Sequence, residues 1–117
     1  MPQDEKLNDR IRRILSDRDD VTERKMFGGL CFMLSGNMLC GCDAKYGLII
    51  RVGPEAYASA LELKHAREMD ITGKPMKGFV LVDPMGVETK TSLTRWIQRG
   101  IAFVDTLPPK KPKEQAS

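Results

Sequence analysis

A chain of 117 residues can bury a core of its own, and 41% hydrophobic with 30% charged residues is typical of a globular domain and excludes a disordered chain. No apolar run approaches the roughly 20 residues of a membrane-spanning helix, and the first residues are polar where a signal peptide is apolar. The net charge of +3 comes mostly from the segment after residue 109, so the remainder is nearly neutral. We expect a cytoplasmic domain with no membrane partner, whose overall charge does not require nucleic acid.

The first predicted element is an amphipathic helix near the N-terminus. Leu7, Ile11, Ile14 and Leu15 recur at helical spacing, and charged residues fill much of the remaining circumference. The polar segment 17–20 is where we expect this helix to end.

Residues 25–52 predict a three-stranded meander. Short β-prone runs at 26–34, 38–42 and 48–52 are separated by turn residues. In the last run, alternate residues share a face, which is the period of a strand. The first run is apolar on both faces, which indicates a central or doubly covered strand.

The second half of the chain predicts a short helix, two strands and a longer helix. Proline at a first helical turn is favoured, so Gly53 and Pro54 mark the end of the meander and the start of a helix. The two strands are joined by a turn at 72–75, and the last helix has apolar residues at helical spacing. The predicted ranges are 54–63 for the short helix, 68–71 and 78–83 for the strands, and 89–105 for the long helix.

The last helix and the residues after it set the domain boundary. Gly100 lies inside the last helix, where glycine costs up to about 1 kcal/mol relative to alanine and is best tolerated if another backbone packs close by. Pro108 and Pro109 end the helix, which predicts one domain at 1–107 and a disordered basic tail at 108–117. The order of elements predicts an α+β fold of two layers, with helices packed on one antiparallel sheet.

Residue types that commonly carry chemistry form no convincing site. The glycines at 28–29 lack the lysine and hydroxyl spacing of a phosphate-binding loop. Cys31, Cys40 and Cys42 lie among apolar residues, which predicts buried reduced thiols rather than a disulfide framework or a zinc site. No motif links His65 to a nucleophile. We therefore expect no catalytic residue, metal or cofactor.

A set of basic residues is the clearest binding signal. Its members lie on or beside the predicted sheet and the last helix, where two of them are four residues apart and therefore neighbours. A shared face that contacts anions or nucleic acid is one interpretation. An ordinary solvated surface is the other, because acidic residues are interspersed. The candidate contacts are Lys25, Arg51, Arg67, Lys74, Lys77, Arg95 and Arg99.

Four segments together resemble a known family. They are residues 24–29, 48–53 and 69–79, and Trp96 followed by Arg99 and Gly100. Their order is similar to the N-terminal domain of the TfoX/Sxy family over roughly residues 4–107. The resemblance implies an α-β(3)-α-β(2)-α fold similar to secretion chaperones, and a regulatory role like that of bacterial competence regulators. It supplies no catalytic residues, and it implies a stand-alone domain without the helical C-terminal domain of full-length regulators.

Three functional hypotheses follow. The favoured one is a non-enzymatic regulatory or adaptor domain that acts through a protein partner or as a homodimer, in a setting of transcription regulation. The second is direct nucleic-acid binding through the basic set and the tail, which would weaken steeply with salt. The third is a small-molecule binder or enzyme that uses His65, Arg67 and Asp70, which requires a concave pocket there.

Overall fold

The computed structural model describes residues 5–26, 29–43, 46–70 and 73–110. These residues form an α+β domain, as the sequence predicts. A short 3-10 helix, Pro84–Val87, precedes the last α-helix. The elements in chain order are α1 Glu5–Ile14, β1 Val21–Met26, β2 Gly29–Leu34, β3 Asn37–Asp43, β4 Gly47–Arg51, α2 Tyr57–Leu61, β5 Ala66–Glu68, β6 Phe79–Val82 and α3 Lys90–Val104.

The described strands form one antiparallel sheet with the order β1-β2-β3-β4-β6-β5. The first four strands pair with their neighbours in sequence, as in a meander. β6 then lies between β4 and β5, although β5 comes earlier in the chain. The antiparallel sheet is therefore confirmed, and the likeness to secretion chaperones stays a prediction.

The prediction of three strands in the meander was wrong, because the structure has a fourth, β1, in front of them. Residues 22–25 of this edge strand are exposed, so they lack the apolar alternation by which a strand is recognised in a sequence. Charged side chains are common on edge strands, where they discourage pairing with another chain. The predicted run 26–34 therefore spans two strands, and Phe27 and Gly28 lie outside the described residues.

The later elements agree more closely with their predicted ranges. The strand 78–83 and the helix 89–105 are confirmed as β6 and α3, each within one residue at both ends. α2 is shorter than predicted, and the strand predicted at 68–71 is found earlier, at Ala66–Glu68. The predicted turn at 72–75 is described only from Gly73 onward. Within the described residues, no helix is long and apolar enough to cross a membrane.

One face of the sheet carries the main core, which α1 and α3 cover. Leu48 and Ile50 of β4 point to this face, and Ile49 points to the other, as the period of a strand requires. A register shift in the β2–β3 pairing lets Leu39 and Cys40 both join this core, although they are consecutive. The buried helix side chains against them are Leu7 and Ile11 of α1 and Leu93, Trp96, Ile97 and Val104 of α3.

Gly100 marks the place where α3 comes closest to the sheet. A Cβ there would lie 2.5 Å from Ile50 Cδ1 and 2.9 Å from Leu39 Cδ1. The close neighbours are thus side chains of β3 and β4, rather than the backbone that the sequence indicated. Glycine at this position allows the helix to pack directly on the branched side chains beneath it.

The opposite face of the sheet carries a smaller apolar cluster. Ile49 and Leu81 are buried there together with Met69, which follows β5. Half-buried Met38, Tyr46, Met76 and Phe79 pack around these three residues. The loop between β5 and β6 therefore contributes Met69 and Met76 to this face, rather than forming a tight hairpin turn.

Residues 108–110 belong to the predicted tail and return to the turn between β2 and β3. The Lys110 N–H donates to the Ser35 carbonyl oxygen at 2.7 Å, and the Asn37 side-chain amide donates to the Pro108 carbonyl oxygen at 2.9 Å. The rest of the predicted tail, residues 111–117, lies outside the described residues.

Candidate functional site

The sheet separates two of the predicted basic contacts. Lys25 lies in β1 and Arg67 in β5, the two edges of a six-stranded sheet, so about 24 Å of sheet separates them at about 4.8 Å per strand. They also point to opposite faces. Lys25 shares the face of Glu23, which pairs with Arg12 of α1, whereas Arg67 lies opposite Leu81 of the smaller cluster. These two residues do not share a binding face.

Arg51 and Arg67 are both engaged within the protein. The Arg51 guanidinium lies 5.5 Å from the ring centres of both Phe79 and Phe103, which are cation–π distances. Arg67 Nε donates to Asp83 Oδ1 at 2.9 Å, and its guanidinium lies 6.0 Å from the Tyr46 ring centre. Lys74 and Lys77 are exposed in the loop before β6. Anion contact by these four residues stays a prediction.

Arg95 and Arg99 are the predicted contacts that the structure brings together. Both are exposed on α3, one helical turn apart, and the Arg99 guanidinium lies 5.0 Å from the Trp96 ring centre. α3 also begins with Lys90, and its sequence from Lys90 to Val104 contains no acidic residue. Lys90 lies nine residues before Arg99 and therefore on the opposite side of the helix, so only Arg95 and Arg99 share a face. An anion contact at Arg95 or Arg99 likewise stays a prediction.

An open groove lies between α2 and α3, and Arg99 is on its wall. The groove has a volume of about 480 Å³ at one end and about 410 Å³ in an overlapping part toward Leu63. Val52 and Ala56 line both parts on the α2 side, and Arg99 and Ala102 line both on the α3 side. The remaining lining residues are Pro54, Glu55, Phe103 and Thr106 in the first part and Ser59, Ala60 and Leu63 in the second.

Gly53 fixes one end of this groove. Its φ of +87° lies in the left-handed region that glycine adopts easily, and a Cβ here would overlap the Phe103 ring. The N–H groups of Val52 and Gly53 both donate to the Gly78 carbonyl oxygen, at 2.8 and 3.0 Å. The chain leaving β4 is therefore held against the loop before β6, and Phe103 packs directly on its backbone.

Short side chains keep the groove open. Ala56, Ser59 and Ala102 are exposed on its two walls, and Ala60 is buried beneath them. Larger residues at these positions would fill the space between the helices. Sequence reasoning missed this groove, because small residues on two helices give no periodic signal and their proximity depends on the packing of α2 and α3. The available signal was the cluster of alanine and serine at 56–60.

The region around His65 has a structural role in this fold. His65 has a φ of 71° in the turn between α2 and β5, and its carbonyl oxygen accepts the Asp83 N–H at 2.9 Å. Gly86 packs against the His65 side chain, and Arg67 is paired with Asp83. His65, Arg67 and Asp70 line neither the α2–α3 groove nor the smaller cavity between α1 and α3.

All three cysteines are free and buried, as the sequence predicts. Cys42 Sγ donates to the Asn8 side-chain oxygen at 2.7 Å, and both residues are buried where α1 packs on β3. Burial raises the pKa of the Cys31 and Cys40 thiols, which keeps them protonated and poorly reactive. Within the described parts of the chain, no cluster of histidine, cysteine and acidic residues could hold a metal ion.

The sheet with helices over its main core, and the open groove between two of them, define a small α+β domain with a surface suited to binding. Comparison with family models gives a match to the TfoX N-terminal domain over residues 13–104. The chain therefore belongs to the TfoX N-terminal domain family. The match begins inside α1 and ends at Val104, the last residue of α3. A search of curated proteins and a search of solved structures each gave no match.

Proposed function

We propose that this domain is a non-enzymatic regulatory or adaptor module that binds a partner protein in the α2–α3 groove. The observation that carries the proposal is the groove itself, which has an apolar floor at Val52 and is kept open by small residues on two helices. Membership in the TfoX N-terminal domain family indicates a regulatory type of domain. Competence or transcription control is the setting that we propose for it.

The shape and charge of the groove favour one kind of occupant. An amphipathic helix is a common ligand of an apolar groove between two helices, because its successive turns place apolar side chains on the floor. Arg99 lies on the α3 wall, and Glu55 lines the α2 side at one end of the groove. A partner helix with an acidic residue that faces Arg99, beside its apolar face, is therefore complementary. We propose such a helix, on a partner protein, as the occupant.

Two variants of α3 test this assignment. Ala102→Trp places a large side chain in the groove, and Thr91→Trp adds the same side chain at another exposed position of the same helix, outside the groove. A photo-crosslinking residue at position 102, introduced in cells of the source organism, captures the partner. A peptide that spans the crosslinked site is then titrated against both purified variants. We expect Ala102→Trp to weaken its binding at least tenfold, and Thr91→Trp to leave it within about twofold.

A charge exchange makes the test specific. Arg99→Glu should weaken the binding of the peptide, and replacing the acidic residue of the peptide that faces Arg99 by lysine should restore it. Equal effects of Ala102→Trp and Thr91→Trp would contradict the proposal. So would a purified domain that is monomeric and yields no crosslink at position 102.

Nucleic-acid binding is an alternative outcome of the same experiments. The cations of α3 could contact phosphates, and such binding would fall steeply with salt concentration. If this alternative is correct, a mobility-shift titration should show that Arg95→Gln loses nucleic-acid binding and that Ala102→Trp keeps it. That pattern would overturn the proposal of a partner protein in the groove.

A further inference from the structure

A second concave site lies on the other side of α3, between α3 and α1. It has a volume of about 240 Å³ and is lined by Arg10, Arg13 and Ile14 of α1 and by Lys90 and Leu93 of α3. Three of these five residues are cations, and none of the described lining residues is acidic. The site does not overlap the α2–α3 groove, and it does not depend on the proposed partner.

Among the described residues, no acidic side chain forms an ion pair with these three cations. Arg10, Arg13 and Lys90 take part in none of the ion pairs that the described residues form, whereas Arg12 on the same helix pairs with both Asp9 and Glu23. Like charges that converge on one concave surface repel each other unless an anion lies between them. The described residues provide no acidic partner for the cations of the cavity, although Arg12 on the same helix has two. The cavity is therefore suited to an anion from outside the domain.

Arg10 is held in position for this task. Its Nη2 donates to the Val87 carbonyl oxygen at 2.7 Å and to the Glu88 carbonyl oxygen at 3.2 Å. A guanidinium has five N–H donors, so Nε and Nη1 keep donors beyond these two bonds. The two carbonyl groups thus fix the plane of the guanidinium without neutralising its charge. Such a fixed fork loses little side-chain entropy when it binds an oxyanion.

We propose that the α1–α3 cavity binds a phosphate group, either as free phosphate or as the monoester of a small molecule. Arginine binds phosphate through paired N–H donors, and lysine adds a point charge. The volume is below the roughly 300 Å³ at which most ligand pockets begin, so the ligand is small. Ile14 and Leu93 provide an apolar wall on which the organic part of a monoester can rest.

The test uses inorganic phosphate and phenyl phosphate as probes at constant ionic strength. Either is titrated into the isotope-labelled full chain at pH 8, where the phosphate is dianionic, and the arginine side-chain and backbone amide NMR signals are followed. We expect saturable shifts at Arg10, Arg13 and residues 88–93. If phenyl phosphate binds more tightly than inorganic phosphate, the site is assigned to a monoester. If the two bind equally, it is assigned to the free anion.

Matched double variants separate this site from general surface charge. Arg13→Gln with Lys90→Gln removes one exposed cation of the cavity from each helix, and Lys6→Gln with Arg95→Gln removes one exposed cation from each helix outside it. The first pair should weaken phosphate binding about tenfold, and the second should leave it within about twofold. Thermal unfolding of both variants checks that they are folded.

Three results would overturn the proposal. The first is the absence of saturable shifts at the cavity with either probe. The second is an equal loss of phosphate binding in the two double variants, which would indicate a diffuse basic surface. The third is binding of duplex DNA that competes with phosphate and depends equally on both pairs of cations. A failure of the α2–α3 groove to bind a partner would leave all three measurements unaffected.

Discussion

The two sides of α3 are joined to the rest of the domain in different ways. On the α1 side the surface contacts are polar: Arg10 donates to the Val87 carbonyl oxygen in the 3-10 helix before α3, and Arg18 pairs with Asp105 just after α3. On the α2 side Phe103 packs on the backbone of Gly53 without an intervening side chain. Polar surface contacts tolerate substitution at low cost, whereas a close apolar contact does not. The stability of the domain should therefore be less sensitive to changes of charge on the α1 side than to changes of shape on the α2 side.

Gly53→Ala should have the largest effect, because it disrupts the fixed side. The substitution adds strain at a positive φ and a Cβ that overlaps the Phe103 ring, so we expect a loss of about 3 kcal/mol in the free energy of unfolding. Urea unfolding measures it. Gly73→Ala is the matched control, because Gly73 has a similar φ of +96° with no atom within 4 Å of the added Cβ. Equal losses for the two variants would show that the Phe103 contact does not matter.

Gly100→Ala should have a smaller effect. It adds one methyl group where α3 packs on the sheet, between its α1 side and its α2 side. Alanine favours the helix by about 1 kcal/mol, and overpacking against Ile50 and Leu39 costs about 1–3 kcal/mol, so a net loss of about 1 kcal/mol is expected. Ile50→Val removes the nearest atom, Ile50 Cδ1. In a double-mutant cycle of urea unfolding, Gly100→Ala should therefore cost less in the Ile50→Val background than in the wild type. A stabilising Gly100→Ala would contradict the close packing seen here.

Asp20→Asn should have the smallest effect, and it tests the polar side. Arg18 donates two hydrogen bonds to Asp20, each 3.0 Å long, and lowers the pKa of that carboxyl group. Because the folded pKa is the lower one, the stabilisation is complete above the unfolded value near 3.9 and is lost as pH falls below it. The pair is about one-third exposed, so it contributes at most about 1 kcal/mol.

Urea unfolding at pH 7 and at pH 2.5 measures this contribution. Asp20→Asn should be less stable than the wild type at pH 7, and the difference should shrink toward zero at pH 2.5. Asp19→Asn is the control, since the exposed Asp19 belongs to none of the ion pairs among the described residues. A difference that does not change with pH would mean that the Arg18 interaction does not stabilise the fold.

The parts of the fold that were predictable from the sequence are those in which buried apolar residues form a recognisable pattern. α1 and α3 repeat apolar residues at helical spacing because one side of each helix faces the main core, and β4 is a short apolar run because apolar clusters cover both of its faces. β1 escaped prediction because residues 22–25 are exposed and charged or polar. The position of β6 between β4 and β5 also escaped, since strand pairing depends on contacts that no local pattern records.

The same reasoning explains which parts of the candidate sites were predictable. Arg95 and Arg99 are one turn apart in sequence, so their proximity could be predicted. Arg10 and Lys90 are far apart in the chain and meet only because α1 packs beside α3. Neither the basic cavity nor the α2–α3 groove could be predicted, because each is formed by two helices whose relative placement the sequence pattern does not give.

The strand order has a consequence for the time course of folding. β1 to β4 pair with their neighbours in sequence, so short loops bring them together and they can form early. β5 and β6 are also neighbours in sequence, whereas β6 must reach β4 across the whole segment that contains α2 and β5. The β4–β6 pairing therefore forms late. Substitutions in β6 that weaken this pairing should accelerate unfolding and leave the folding rate nearly unchanged, whereas substitutions in β2 and β3 should slow folding.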